Sequence, residues 1–429
     1  MAYQYNINTS KKDTRSSVCL FIDHKLAAIV KLFLSTFLVG YIFSFSGDIY
    51  QYIFNVGIYE ITTYITLPIV YYLTSYIVDK TNRVWVYRAG ILLRTVLVVF
   101  AIFYGKDISK LIVLAGFLNG FSEGVYYSSY NTMTQEMVSR KSMKSFMLFS
   151  NVVGKLVDVV FPIVLGALIE ISTFAQVAIY VFALCVIQIG ISAGVRSKKP
   201  ENSFFSLRQY FHDLKQNEVV FKKMKMIYWI SFVYGFTTII STLINICIMM
   251  EFGSNFSLGI FTSIFAAISI VTILIVNKVT KVGKRQVFLS VVAIVPIIFA
   301  ILFAVMPSIY TLILYNLGNS VGWIIYRTIF DVHRNTNLKE SGLYSGITEH
   351  QTFMEFMFNI SRVSVYGAMM LLGLFQNLIA FKIFLVLMIC MASAVVVLLI
   401  VYERKFYPNI SEEEKSYRII KSCLLDDKK

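Results

Sequence analysis

The chain has 429 residues, 57% of them apolar types and only 15% charged, with a mean hydropathy of +0.70 and a formal charge of +15. Soluble domains carry about a quarter charged residues, so this composition excludes an ordinary water-soluble enzyme or binding domain. Apolar runs of about 20 residues recur from end to end, which predicts an all-α, polytopic membrane protein. The alternating segments of about ten residues that a β-barrel needs are missing.

The first 24 residues are polar, with no apolar run ahead of a cleavage site, so no removable signal is expected. Residues 1–25 read as a cytoplasmic tail. A first group of six spans is predicted at 26–46, 53–78, 85–104, 109–136, 143–170 and 173–195, forming a bundle over 26–195. The longest connection, Arg196 to Lys225, follows and is rich in Lys and Arg. Within it, SLRQYFHDLKQ places Leu207, Tyr210, Phe211 and Leu214 on one helical face. The expectation is an amphipathic helix lying on the inner leaflet, in a cytoplasmic linker over 196–223. Six more spans are predicted at 224–250, 256–279, 285–305, 308–333, 343–373 and 378–402, forming a second bundle over 224–402, with a cytoplasmic tail at 403–429.

Lys and Arg crowd into the two tails, the 79–84 connection and the Arg196–Lys225 loop, and are nearly absent from the connections that alternate with these. That asymmetry places both termini in the cytoplasm and accounts for the basic charge without a nucleic-acid partner. The five cysteines are dispersed without C-x-x-C spacing, so neither a disulfide framework nor a metal site is expected. No Gly-x-x-x-x-Gly-Lys-[Ser/Thr], His-Glu-x-x-His or Gly-x-Ser-x-Gly motif occurs, which leaves an enzyme reading or a cofactor without support.

The connection SYIVDKTNRV sets Asp79-Lys80-x-x-Arg83 between two long apolar runs. This spacing resembles the signature between helices 2 and 3 of the major facilitator superfamily, G-x-x-x-D-[RK]-x-G-[RK]-[RK]. Asp79, Lys80 and Arg83 match, while Ser75, Asn82 and Val84 stand at the two glycines and the last base. Juxtamembrane charges that obey the positive-inside rule explain the same cluster equally well. Four echoes then recur in order between the halves. Phe37-Leu-Val-Gly40-Tyr41 is similar to Phe232-Val-Tyr-Gly235-Phe236. Thr280-Lys281-x-Gly283-Lys284-Arg285 repeats the basic part of the Asp79 cluster. Gly120-x-x-x-Gly124 parallels Gly318-x-x-x-Gly322-Trp323. Gly154-Lys155 with Leu165-Gly166 parallels Ser361-Arg362 with Leu372-Gly373. Parallel half-repeats are a recurring plan for secondary transporters.

Over residues 25 to 403 the chain therefore resembles a major facilitator superfamily transporter. The resemblance implies twelve helices in two pseudo-symmetric six-helix bundles around a cavity that opens alternately to each side, with Asp79, Lys80 and Arg83 as a gating loop.

A charge near the bilayer centre costs about 2.5–3.5 kcal/mol on insertion scales, so it usually faces a partner or a wet cavity. The candidates near span centres are Glu60, Arg94, Glu123, Lys155, Asp158, Arg327, Glu355 and Arg362. Mutual ion pairs holding the bundles together are one reading of this balanced set. The other is functional. Lys155 and Asp158 share a helix face, and Lys155 and Arg362 hold equivalent places in the half-repeats, where two opposed bases would suit an anionic group on a substrate. For ion coupling the carboxyl candidates are Glu123 first, then Asp158, Glu60 and Glu355. Drug–proton exchangers of the family often carry an Arg three residues before Gln-Gly in helix 4. Here Gly120 stands in place of that Arg and Glu123 in place of the Gln. Phe161-Pro162-x-x-Leu165-Gly166 is similar to the Gly-Pro-x-x-Gly-Gly antiporter element only at Pro162 and Gly166, and a proline kink reads equally well.

Tyr126, Tyr127, Asn131, Trp323, Tyr326 and Arg327 complete the candidate cavity lining, as aromatics with polar tips suit a mixed pocket. His333 and His350 fall near cytoplasmic ends, where solvent or head groups are expected to satisfy them. The expected function is secondary active transport of a small molecule, coupled to protons or another ion, with efflux favoured over uptake on the helix 5 resemblance. Membrane lipids are the only other partners expected, and the chain is taken as a monomer. With 26 Lys against 13 Arg and abundant Ile, Phe and Tyr, the composition fits an AT-rich bacterial genome and a bacterial cell membrane. A lipid or glycolipid flippase on the same fold, and a non-transporting sensor or scaffold, are the alternatives.

Overall fold

The computed structural model describes residues 11–44, 46–104, 110–138, 143–197, 205–279, 285–340 and 346–406, and among these residues there is no β-strand. Helix α1 (Lys11–Leu32) continues through one π-turn (Phe33–Phe37) into α2 (Leu38–Phe43). It is followed by α3 (Ile49–Lys80), α4 (Arg83–Tyr104), α5 (Ile112–Met137), α6 (Met143–Ile171) and α7 (Phe174–Ser192). A short helix, α8 (Leu207–Lys215), links these to α9 (Glu218–Thr237), α10 (Ile239–Phe252), α11 (Asn255–Val279), α12 (Arg285–Val305), α13 (Ile309–Glu340), α14 (Ile347–Phe375) and α15 (Leu378–Phe406). Each apolar run of the sequence lies in a helix. Among the described residues, nine spans are long and apolar enough to cross a membrane, those of α1–α2 and α9–α10 being continuous rods.

The helix ends follow local chemistry. Asp48 caps α3 by accepting from the backbone N–H of Gln51 at 2.8 Å. Thr173 and Gln176 form a capping box at the start of α7, and Asn217 caps α9. Gly253, at φ +60°, ends α10 in the left-handed conformation that an L side chain rarely adopts.

The polarity of the molecule is inverted relative to a soluble protein. Ile65, Ile69, Leu73 and Ile77 form an exposed apolar stripe along α3, while Glu60, Thr63, Thr66 and Thr74 of the same helix are buried. That arrangement fits lipid outside and a polar interior.

Close packing inside the first half uses a glycine ladder. Gly116, Gly120 and Gly124 of α5 lie directly against the carbonyls of Tyr59, Thr63 and Leu67 of α3, so a Cβ at any of them would strike backbone. Packing is thus the role of Gly120-x-x-x-Gly124 here. The parallel pair on α13, Gly318 and Gly322, faces Pro296 of α12 instead. The two glycine echoes therefore serve different neighbours. The echo at Thr280–Lys284 lies outside the described residues.

The two halves meet along two helix pairs, α3 with α14 and α6 with α11. Gly166 and Pro162 of α6 abut Asn255 and Gly259 of α11, and Gly57 and Gly373 seat α3 against α14. The Pro162–Gly166 element thus forms part of the seam between the halves.

Two expectations change. The first helix starts at Lys11, not at 26. Its polar residues hide the signal because they turn inward: Asp23 is fully buried, accepting from the hydroxyl of Tyr87 and from Gln188 at 3.2 Å. The amphipathic linker helix is present as α8, but its apolar face is turned onto α9 and α14. Tyr210 and Leu214 are buried, and Tyr210 shares a 2.7 Å hydrogen bond with Tyr228. A protein groove rather than the leaflet receives this face.

Candidate functional site

The charged residues foreseen inside the spans gather in and around the seam. On the first half, α5 presents Glu123, 4% exposed, to two bases. Lys31 of α1 reaches it at 2.7 Å and Arg94 of α4 at 2.6 Å. Lys31 stands just ahead of the π-turn that re-aims the first rod, and its ammonium lies over the ring of Tyr127 at 5.1 Å. The guanidinium of Arg94 lies 4.4 Å from the ring centroid of Tyr126. Glu123 therefore sits as a carboxylate between two cations and two tyrosines.

At the seam itself, Lys155 of α6 pairs with Asp158 at 2.9 Å, the i, i+3 contact expected from the sequence. The Lys155 ammonium also lies over Trp323 of α13 at 4.6 Å, and Arg327 covers the same ring at 4.3 Å while pairing with Asp331 at 3.5 Å. Arg362 of α14 reaches the other way: its guanidinium is 5.0 Å from the ring of Tyr64 on α3, which in turn stacks on Tyr366 of α14 at 5.3 Å. No contact joins Lys155 to Arg362. Each instead takes a ring from the opposite half. The side chains of Lys31, Asp158 and Arg327 keep 48%, 37% and 39% of their surface open, which leaves room around them.

Not all candidates share this place. Tyr126 is fully buried within the first half, against Tyr87, Tyr130 and Arg94. Tyr326 is buried beside Tyr234 of α9, within the second half. Asn131 donates to the hydroxyl of Tyr71 at 3.4 Å, and Glu355 is held by Asn359 one turn along α14. Glu60 is buried on α3, one turn before Tyr64.

The Asp79 cluster closes the C-terminal end of α3 against α14. Asp79, 5% exposed, accepts from the hydroxyl of Thr348 on α14 at 2.9 Å and lies 3.6 Å from Arg83, which also pairs with Glu136 of α5. One turn back, Ser75 and Thr352 share a 2.8 Å hydrogen bond across the same interface. Ser75, which stands where the family signature has glycine, thus supplies a polar tie between the halves. Lys80 is exposed and makes no ion pair among the described residues. The linker adds to this closure: Phe205 is buried against Tyr72 and Tyr76 of α3, and the backbone N–H of Ser206 donates to Glu349 of α14 at 3.0 Å.

Sequence reasoning missed several participants. Lys31 lies near the start of an apolar run and reads as a flanking charge. Lys25, held by the carbonyl and hydroxyl of Ser150 at 2.8 Å each, and His24, stacked on Tyr130 at 3.9 Å, fell in the supposed tail. His350 is fully buried, bonded to the hydroxyl of Tyr228 at 3.0 Å, and His333 meets Glu403 at 3.2 Å. Protein groups contact both histidines where solvent or head groups were expected, and Nε2 of His350 is buried without a hydrogen-bond partner among the described residues. Among the described residues, no cluster of three or more His, Cys, Asp or Glu could hold a metal ion.

Comparison with known proteins places these features. The profile of the Major Facilitator Superfamily matches residues 18–349. An uncharacterized protein of Bacillus subtilis (strain 168), YqgE, is 22% identical over 299 residues, 67% of this chain and 66% of its own length, so the matched segment spans just under two thirds of that relative. The crystal structure of a bacterial homologue of the iron transporter ferroportin is similar in its inward-facing state, with a TM-score of 0.63 and 13% identity over 91% of this chain and 98% of that one. The outward-facing state of that homologue with soaked iron is similar at a TM-score of 0.62 and 14% identity, over 91% and 99%. The human organic anion transporter MFSD10 (TETRAN) is similar at a TM-score of 0.59 and 12% identity, over 89% and 99%. At such identities these likenesses describe the fold.

Proposed function

We propose, because the chain belongs to the Major Facilitator Superfamily and is a multi-pass membrane protein, that it is a secondary active transporter moving a small charged molecule by alternating access. The observation that carries this reading is the pair of crossed contacts at the seam, Lys155 over Trp323 and Arg362 over Tyr64. Rocking the halves apart would break both and present two bases and two rings to a solute. Cation–π contacts contribute only about 0.5–2 kcal/mol each, so such ties are weak enough to exchange.

The groups divide by position. Asp79, Arg83, Thr348 and the Ser75–Thr352 bond would hold the cytoplasmic end closed in one state. Glu60 and Glu355 are the carboxyls on the α3–α14 wall without an ionic partner in contact among the described residues, which favours them over Glu123 and Asp158 for ion coupling. Efflux, on the Pro162–Gly166 resemblance alone, completes the proposal, with a bacterial cell-membrane location and cytoplasmic termini supported by the composition and the positive-inside pattern.

Reconstitution into proteoliposomes carrying a pH dye, screened against amphiphilic cations, organic anions and sugars, tests it. Solute-triggered proton movement is expected. Silence across the panel with movement of a fluorescent lipid would replace this reading with a flippase.

A further inference from the structure

Two opposite charges at the seam have no ionic partner in contact among the described residues. Glu60 is 5% exposed and, among the described residues, forms no hydrogen bond or ion pair. Arg362 forms no ion pair; its one hydrogen bond is a long 3.4 Å contact to Asn359, and its Nε is buried without a partner. The neighbouring charges differ. Lys31 and Arg94 share Glu123, Lys155 has Asp158 and Arg327 has Asp331.

The geometry brings the two lone charges close without joining them. Arg362 lies on the ring of Tyr64, and Tyr64 stands four residues after Glu60 on α3, so the guanidinium is about one helical turn from the carboxyl-bearing position. Lys31 and Arg362 are the two cations whose fields reach Glu60. The Tyr64 ring in turn stacks on Tyr366 of α14. An unpaired charge inside a membrane protein is costly and is retained where a cavity or a ligand compensates it. Here one acid and one base, neither with an ionic partner among the described residues, stand about one helical turn apart across the α3–α14 seam.

We infer that this place binds a small zwitterion, an amino-carboxylate, with its carboxylate on Arg362 and its ammonium on Glu60. The inference rests on the transporter reading and names its substrate class. A ligand carrying only one charge would leave the other protein group desolvated and unpaired, and that asymmetry sets the selectivity. A second cation, Lys31, is engaged by Glu123 and does not compete for the carboxylate.

The test uses the full-length protein in detergent and a series of ω-amino acids from glycine to 6-aminohexanoate, each beside the carboxylate and the amine of equal length. Thermal unfolding is expected to rise with at least one amino acid of the series, at a concentration about tenfold to a hundredfold below that needed for its carboxylate or amine. Glu60→Gln is expected to abolish the preference over the carboxylate, and Arg362→Gln the preference over the amine. A carboxylate or amine that stabilises the wild-type protein as well as the amino acid does overturns the inference, as does a series in which no amino acid stabilises it. The wild-type measurement stands even where a variant fails to fold. Either overturning result leaves the transporter reading intact, which fails separately if no solute of any class moves across proteoliposomes.

Discussion

Lys155 and Trp323 meet across the seam between the two halves, the ammonium 4.6 Å from the ring centroid, and Arg362 and Tyr64 repeat the contact in the opposite sense at 5.0 Å. Each half lends a cation to an aromatic ring of the other.

Trp323→Leu should loosen this tie without unfolding either half. The expected loss is about 0.5–2 kcal/mol of contact between α6 and α13, read as a broader spin-label distance distribution across the seam. An unchanged distribution would show that the ring does not tether the halves.

Glu123→Gln should be far more damaging. It removes the only carboxylate that touches both Lys31 and Arg94 among the described residues, leaving two cations facing each other in a buried site. Breaking such a set by losing one partner costs about 3–5 kcal/mol. Lys31→Gln, at the half-exposed end, should cost less, and combining it with Glu123→Gln should recover part of the loss. Thermal unfolding of the three variants checks the order.

Asp79→Asn weakens both the Thr348 hydrogen bond and the Arg83 contact at the end of α3. The account expects turnover to slow by more than substrate binding weakens, because the change acts on an end state and not on the ligand. Thr348→Val should act in the same direction and less. Equal losses in turnover and binding would assign Asp79 a different role.

Gly259→Leu places a side chain where α11 lies against the carbonyl of Pro162. The added bulk should prop α6 and α11 apart and shift the population toward the state open on that side. Increased labelling of a cysteine introduced at Asn255 would register the shift.

The fold was largely legible in the sequence because membrane burial writes itself as long apolar runs, and each run became a helix. The start of α1 was not, since Asp23, His24 and Lys25 read as a soluble tail until Tyr87, Gln188, Tyr130 and Ser150 are seen to receive them. Individual charges were also legible: a Glu or Arg inside an apolar run stands out one residue at a time. Their partners were not. Nothing in the spacing pairs Lys31 with Glu123, because the contact joins α1 to α5 across 92 residues of chain. Tyr126 and Tyr326 show the converse limit, since a helix face can be read from periodicity but not which neighbour that face meets. The linker is a third case. Its amphipathic face was plain, yet the choice between a leaflet and the groove made by α9 and α14 rests on Tyr228 and Gly346, far along the chain.

The most direct test of alternating access is transport in proteoliposomes by a protein whose outer seam can be locked. Cysteines at Ile163→Cys and Phe256→Cys, exposed positions on the facing helices α6 and α11, would be joined by a short thiol cross-linker and compared with the same protein before joining. The account predicts solute-triggered proton movement that stops on cross-linking, while solute still protects the joined protein against thermal unfolding. Flux that continues unchanged through the locked seam would contradict it.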